Sequence, residues 1–167
     1  MLPLVFNPHA IKVGLAGQGE ALARRAALLA EAGVEARLLS ADASDSVLEP
    51  LQLFFVAGLP EGEARQLAGR ARALGLLVNV EDILPLCDFH VPAIVRRGDL
   101  LITASTGGAV PGLARRLREW LAAAFGPEWT GRLSDLSAAR ARWRSAGFGP
   151  PEVSQKVRDL IDEKGWL

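Results

Sequence analysis

IKVGLAGQGEALARRAALLAEAGVEARLL, residues 11–39, decides the fold. Ile11–Leu15 is a short apolar run, broken only by Lys12, with β-branched Ile11 and Val13, and it reads as a strand. Ala16-Gly17-Gln18-Gly19 is a turn. Glu20–Ala32 is rich in Ala and Leu, carries a polar Arg24-Arg25 patch, and ends at Gly33, a good residue just past a helix. Ala36–Leu39 is a second strand. Strand, glycine turn, helix and strand within about thirty residues make a βαβ unit, which requires a parallel sheet with a right-handed crossover.

Outward from this unit the alternation continues. Asp42–Pro50 is polar and loop-like, Leu51–Ala57 a third strand, Glu61–Leu74 a helix ending at Gly75, and Leu76–Val80 a fourth strand. Leu100–Ala104 is a fifth. The pattern predicts an α/β, Rossmann-like, doubly wound parallel domain. After Gly108 the chain turns helical. Pro111 suits a first helical position, and Leu113, Leu117, Trp120, Leu121 and Ala124 form an apolar stripe that stops at Gly126-Pro127. Ser134 is the expected N-cap of a second helix, with Leu136, Ala139 and Trp143 on one face. A last helix carries Val153, Val157, Leu160 and Ile161 after the break at Pro150-Pro151. Three short amphipathic helices need the α/β domain or a partner subunit to cover their stripes.

Half of the 167 residues are hydrophobic and the formal net charge is zero, which argues against a general nucleic-acid binder. Residues 1–110 hold 9 Lys/Arg against 12 Asp/Glu, and residues 111–167 hold 10 against 7. The mildly basic second part suits either an acidic ligand or plain solvation. A single cysteine, Cys87, excludes a disulfide framework within the chain and fits a reducing compartment. The first residues lack the pattern of a signal peptide, and no apolar run approaches a membrane span, so the expectation is a soluble cytoplasmic protein.

Gly17-x-Gly19 stands between strand and helix, where a dinucleotide fingerprint must lie. Gly17 would make the tight turn, and Gly19 would let backbone N–H groups approach a pyrophosphate at the helix start. The third position is Leu22 rather than Gly or Ala, and Asp42 is the nearest acid for the ribose hydroxyls. A plain tight turn is the other reading. Ser105-Thr106-Gly107-Gly108 follows a strand and precedes a helix, which suits either an anion site or a structural cap. Asp82 follows the fourth strand at its carboxyl end. A carboxylate there acts as a general base or metal-ion acceptor, or merely caps the next turn. Arg115, Arg116 and Arg118, with Arg96-Arg97, either ring an anionic ligand or sit in solvent. His9 and His90 have no ligand spacing, and no metal site is expected.

These residues together resemble the precorrin-2 dehydrogenase / sirohydrochlorin ferrochelatase family, the N-terminal module of siroheme synthases. The resemblance is carried by Val78-Asn79-Val80-Glu81-Asp82, by Cys87-Asp88-Phe89, by Pro92–Gly98, and by Ser105–Gly108 with Pro111, Leu113, Ala114 and Arg115. Leu2-Pro3-Leu4, Gly17-x-Gly19 and Leu28–Gly33 extend it toward the N-terminus, so it covers most of residues 1–125. It implies NAD-dependent oxidation of precorrin-2 to sirohydrochlorin, joined in some members by insertion of Fe2+ as a substrate. It also implies a homodimer acting on a tetrapyrrole, with no nucleic acid or membrane partner. In its terms residues 1–90 form a Rossmann-like NAD domain, 91–126 a dimerisation and substrate segment, and 127–167 a helical region. The proton-accepting aspartate falls on Asp82. Cofactor contacts fall on Gly17, Gln18, Gly19, Glu20, Ser40 and Asp42, and substrate contacts on Ser105, Thr106, Gly107, Gly108 and Arg115.

The chain departs from the family at four places. Gln18 replaces the middle glycine of the turn, Leu22 stands where Ala is usual, Ser40–Leu53 is trimmed, and Ala57-Gly58-Leu59-Pro60 replaces Ala-Thr-Asp-Asp. Three readings follow: a dehydrogenase with or without chelatase activity, a chelatase or tetrapyrrole binder with an altered nucleotide site, and a non-catalytic interaction protein.

Overall fold

In the computed structural model, which describes residues 2–167, the chain divides into two compact units, Met1–Val91 and Pro92–Leu167. The first unit holds β1 (Val13–Gly17), α1 (Gly19–Glu31), β2 (Arg37–Leu39), α2 (Asp45–Leu48), β3 (Leu53–Ala57), α3 (Glu61–Ala73) and β4 (Leu77–Val80). The four strands pair in parallel in the order β2-β1-β3-β4, with Gly17 opposite Ala57 and Val56 opposite Val80. This is the α/β Rossmann-like sheet that the βαβ spacing predicts.

Both faces of the sheet are covered at its centre, which is why β1 and β3 carry no polar side chain at any position rather than at alternate ones. Val13, Leu15, Leu53 and Phe55 meet α1 through Leu22, Ala26 and Leu29. Phe54, Val56, Val78 and Val80 meet α3 through Ala64, Leu67, Ala68 and Ala71, which recur at helical spacing. β1 serves the two faces unequally. Val13 and Leu15 fill the α1 side, whereas Gly14 and Ala16 make room for Leu51 and Phe54 on the other. A Cβ on Gly14 would lie 2.9 Å from the Phe54 ring.

β4 is an edge strand, and its open side is closed by the segment after it. Asp88 N–H donates to the Val78 carbonyl at 2.8 Å, and the Asp88 carboxylate accepts from Val78 N–H at 2.8 Å. Cys87 Sγ lies 3.4 Å from Val80 N and donates to the Val80 carbonyl at 3.1 Å. Arg72 of α3 grips the same segment, with Nε 2.9 and 3.0 Å from the Asp88 oxygens and Nη2 2.7 Å from the Leu86 carbonyl. Side-chain and backbone groups of residues 86–88 thus stand in for a fifth strand and protect the edge.

The second unit holds β5 (Ala93–Arg97), β6 (Leu100–Ala104), α4 (Pro111–Ala124), α5 (Trp129–Ser145) and α6 (Pro150–Lys164). Here the expectations need correction. Leu100–Ala104 is a strand, but it pairs antiparallel with the unforeseen β5 in a separate two-stranded sheet, through a turn at Gly98 with φ 57. The second helix begins at Trp129, not near Ser134, which lies inside it. In the first unit, Asp42–Pro50 is not all loop: α2 seats Leu48 in the core. β1 starts at Val13 and runs on to Gly17, so Gly17 ends the strand rather than opening a free turn.

The α4 stripe behaves differently from a core stripe. Leu113, Leu117 and Trp120 are 48, 38 and 63% exposed, as is neighbouring Val110, while Leu121 is half-buried. Of the four tryptophans only Trp129 is buried. Arg132 lies over the rings of Trp129 and Trp166 (5.1 and 5.4 Å), and Lys156 over Phe148 (4.4 Å), so cations close the helical pair where apolar residues are few. No helix among the described residues is long and apolar enough to cross a membrane.

Asp88→Ala is expected to destabilise the protein by about 2–4 kcal/mol, because it strands Val78 N–H and a partly buried Arg72 guanidinium together. Urea unfolding of the variant measures this, and a loss under about 0.5 kcal/mol, the range of plain surface changes, would count against edge closure by Asp88.

Candidate functional site

The first unit presents its chemistry at the carboxyl edge of the parallel sheet. β1 is followed by α1 on one face and β3 by α3 on the other, while β2 and β3 flank β1 on opposite sides. That reversal opens a crevice between the ends of β1 and β3, the place where open α/β sheets bind ligands.

Glycines line this crevice for steric reasons. Gly17 has φ 150, and a Cβ there would collide with the Ala57 carbonyl, the oxygen that accepts from Gln18 N–H at 3.1 Å. A Cβ on Gly58, across the crevice, would strike the Gln18 carbonyl. Gly19 opens α1 at φ 65, and a Cβ there would meet nothing within 4 Å. Leu22 is the first residue to return its N–H to the turn, at 3.4 Å from Gln18 O, so the N–H groups of Gly19, Glu20 and Ala21 precede the helical ladder. Open space, early N–H groups and the helix dipole suit a pyrophosphate. Gln18 and Glu20 are exposed here, and Leu22 packs into the apolar layer under α1.

Ser40 and Asp42 follow β2, whose last residue Leu39 pairs with Ala16, so they emerge beside the glycine turn. The Ser40 hydroxyl donates to the Asp42 carboxylate. That bond first, and a backbone N–H second, hold the Asp42 carboxyl below the ordinary carboxylate range. An exposed, firmly ionised carboxylate at this position suits ribose hydroxyls. The residues therefore fit a dinucleotide.

Asp82 stands at the same edge, beyond β4. Glu81 N–H still donates to Val56 O at 2.9 Å and Ile83 N–H to Val80 O at 3.3 Å, which leaves Asp82 at φ 62. It is the one non-glycine with positive φ among the described residues, and its carboxylate is exposed. Such a conformation costs of order 1–3 kcal/mol and persists only where its surroundings impose it. Glu81, largely buried, faces Arg24 at 3.5 Å. Arg25 lies 5.2 Å over the Phe55 ring; burial pushes its pKa down, opposed chiefly by Glu81 and Asp82. In the sequence Arg24-Arg25 stands out only as a polar patch. Its signal is spacing: Arg25 falls within the inward-facing Leu22, Ala26, Leu29 stripe, where a charge needs a partner.

The second unit carries the hydroxyl loop. Gly107 N–H donates to Ser105 Oγ at 3.2 Å and Val110 N–H to Thr106 Oγ1 at 3.3 Å. Gly107 and Gly108 take φ 65 and 82 to make the bend. Both hydroxyl oxygens act as acceptors within the loop, so each O–H hydrogen remains available to an acceptor such as a carboxylate. Of the arginines that the sequence leaves either around an anionic ligand or in solvent, Arg115 and Arg116 are exposed. Arg97 binds the carbonyls of Phe125 (2.8 Å) and Ala122 (3.0 Å) and so caps the end of α4, and Arg115 and Arg116 pair with Glu119. Cys87 closes the β4 edge. Asp82 belongs to the first unit and Ser105–Arg115 to the second.

Residues 4–93 match the family described as "Putative NAD(P)-binding". The siroheme synthase of Stutzerimonas stutzeri is 31% identical over 183 residues, covering 89% of this chain and 39% of that protein. That of Nitrosococcus oceani is 31% identical over 86% of this chain and 34% of its own length, and that of Methylobacillus flagellatus 34% identical over 73 and 30%. The chain thus spans between three and four tenths of these relatives. A solved structure titled "SirC, precorrin-2 dehydrogenase" shares its fold, with TM-score 0.74 and 17% identity over 99% of this chain and 92% of that one.

Because the Ser40 hydroxyl favours the charged form of Asp42, the carboxyl stays ionised down to a pH below its ordinary value and is protonated only as pH falls further. Carbon-13 NMR titration should show its midpoint rising in Ser40→Ala. An unchanged midpoint would remove Ser40 as the cause.

Proposed function

The chain belongs to the NAD(P)-binding family that its residues 4–93 match, and from that premise we propose that it oxidises precorrin-2 to sirohydrochlorin with NAD+ in siroheme biosynthesis. One observation carries the reading: a fitted glycine turn and a conformationally forced carboxylate, Asp82, share the carboxyl edge of one parallel sheet. The likeness to siroheme synthases and to the fold of a precorrin-2 dehydrogenase supports it.

In this proposal Gly17, Gln18, Gly19 and Glu20 hold the pyrophosphate through backbone N–H groups, and Ser40 and Asp42 hold the adenosine ribose. When bound, NAD+ supplies a hydride acceptor. Oxidation of precorrin-2 releases a hydride and a proton, and Asp82 takes the proton. Asp82, at φ 62, is exposed at the carboxyl edge of the sheet. Ser105 and Thr106 offer O–H donors, and Gly107 and Gly108 backbone N–H groups, to the carboxylates of the tetrapyrrole, with Arg115 as a nearby cation on α4. Insertion of Fe2+, as a substrate, would use the same Asp82 carboxylate to remove pyrrole protons. Residues 1–90 are the cofactor domain, 91–126 the dimerisation and substrate segment, and 127–167 the helical region of a cytoplasmic enzyme.

A second copy of the chain is the proposed cover for the α4 stripe. Val110, Leu113, Leu117 and Trp120 recur at helical spacing and stay exposed, which is the pattern of an apolar seam between subunits.

The anaerobic assay supplies precorrin-2 and NAD+ and follows sirohydrochlorin absorbance, then Fe2+. Asp82→Asn should lower kcat at least about 100-fold, the usual contribution of a positioned base, with an unchanged melting temperature. Full turnover in that variant would remove Asp82 from the chemistry, and absence of NAD+ binding by the wild type would overturn the dehydrogenase. Leu117→Arg should convert a dimer into a folded monomer by light scattering; a variant that stays dimeric would exclude this face.

A further inference from the structure

The thirteen residues 40–52 that connect β2 to β3 carry only the single turn α2. A parallel crossover ordinarily contains a longer helix that fixes its own shape. Here the fixing comes from elsewhere. Arg70 of α3 reaches the connection with Nη2 2.6 Å from the Ala43 carbonyl, and with Nε and Nη2 3.1 and 2.7 Å from one Asp45 carboxylate oxygen. Arg70 itself stands on a helix anchored in the core by Leu67, Ala68 and Ala71. Upstream, Leu39 is held in the sheet opposite Ala16. Only Ser40, Ala41 and Asp42 lie between these two fixed points, and Ala43 N–H bonds back to the Ser40 carbonyl at 3.2 Å. Released from Arg70, the next fixed point downstream would be Leu48, which α2 seats in the core, so the free span would lengthen from the three residues 40–42 to the eight residues 40–47.

We infer that Arg70 is a positioning residue for the adenosine half of the cofactor: by clamping Ala43 and Asp45 it holds Ser40 and Asp42 beside the glycine turn. The inference rests on the cofactor reading above. Arg70 touches no cofactor atom in this role. It converts the ionised Asp42 from a mobile surface charge into a fixed one, which accepts ribose hydroxyls and repels a phosphate at the 2′ position. The clamp therefore governs both affinity and the preference for NAD+ over NADP+.

Calorimetric titration of the full chain with ADP-ribose, NAD+ and NADP+ tests this. Arg70→Met should weaken ADP-ribose and NAD+ binding roughly three- to five-fold, the range of an exposed clamp of this kind. NADP+ should lose less, so the NAD+/NADP+ affinity ratio falls. Asp45→Asn, a change at an exposed side chain outside the core, should give a smaller loss because the Ala43 bond remains, and Arg70→Lys should recover only part of the wild-type value, since an ammonium lacks the guanidinium fork. In turnover, KM for NAD+ should rise at constant kcat. Unchanged ADP-ribose affinity in folded Arg70→Met, or equal losses for NAD+ and NADP+, would overturn the inference while leaving the cofactor reading standing. A wild-type chain that binds no ADP-ribose would overturn the cofactor reading itself.

Discussion

The parallel pairing of Val13–Gly17 with Leu53–Ala57 is the contact on which the first unit depends. It places β1 between β2 and β3, so the chain must cross over β1 to continue. Both apolar layers draw on it: Val13, Leu15, Leu53 and Phe55 form one side, and Ala16, Phe54 and Val56 the other. Its small residues are what allow this. Gly14 makes way for Leu51 and Phe54, and Gly17 lets the strand end lie against the Ala57 carbonyl. The crevice above Gly17 and Gly58 is therefore a product of the same close approach that packs the core. The substitutions that would fill the crevice are also those that would force the strands apart.

Edge management explains residues that look chemical in the sequence. Cys87 and Asp88 have reactive side chains beside a strand-end acid, yet both are spent on Val78 and Val80. Arg72 completes the closure, and Asn79 holds the segment from beneath through the Phe89 carbonyl at 2.9 Å. Fixing residues 86–89 also fixes the short bend from Glu81 to Ile83 that gives Asp82 its left-handed conformation. At this edge Asp88 is bound by Val78 and Arg72, whereas the Asp82 carboxylate makes no hydrogen bond among the described residues. Arg70 and Arg72, two residues apart on α3, thus tie down the two connections that border the carboxyl edge.

In the second unit the sequence pattern marks the helices but not what covers them. The stripe on α4 has the spacing of a core face, but its hydrophobic residues remain in solvent while Arg97 from β5 caps the end of the same helix. Periodicity reports that one side of a helix is apolar, not what lies against it. The hairpin of β5 and β6 is not legible in the sequence for a related reason. Ala93–Arg97 ends in two arginines and reads as polar, although Val95 is buried and Gly98 supplies the turn.

The sequence by itself determined the parallel α/β class, the order of its first four strands along the chain, the glycine turn, and the places of Asp82, Asp42 and the Ser105–Gly108 loop in that order. Those are local properties: alternation, turn residues and helix punctuation act over a few residues and are written directly in the chain. Tertiary structure alone decided that β3 pairs with β1, that Cys87 and Asp88 close an edge, that Arg25 turns inward over Phe55, and that Arg70 grips a loop 25 positions away. Each of these joins groups far apart in sequence, and their partners are selected by packing and hydrogen bonding in three dimensions, for which a linear pattern carries no register.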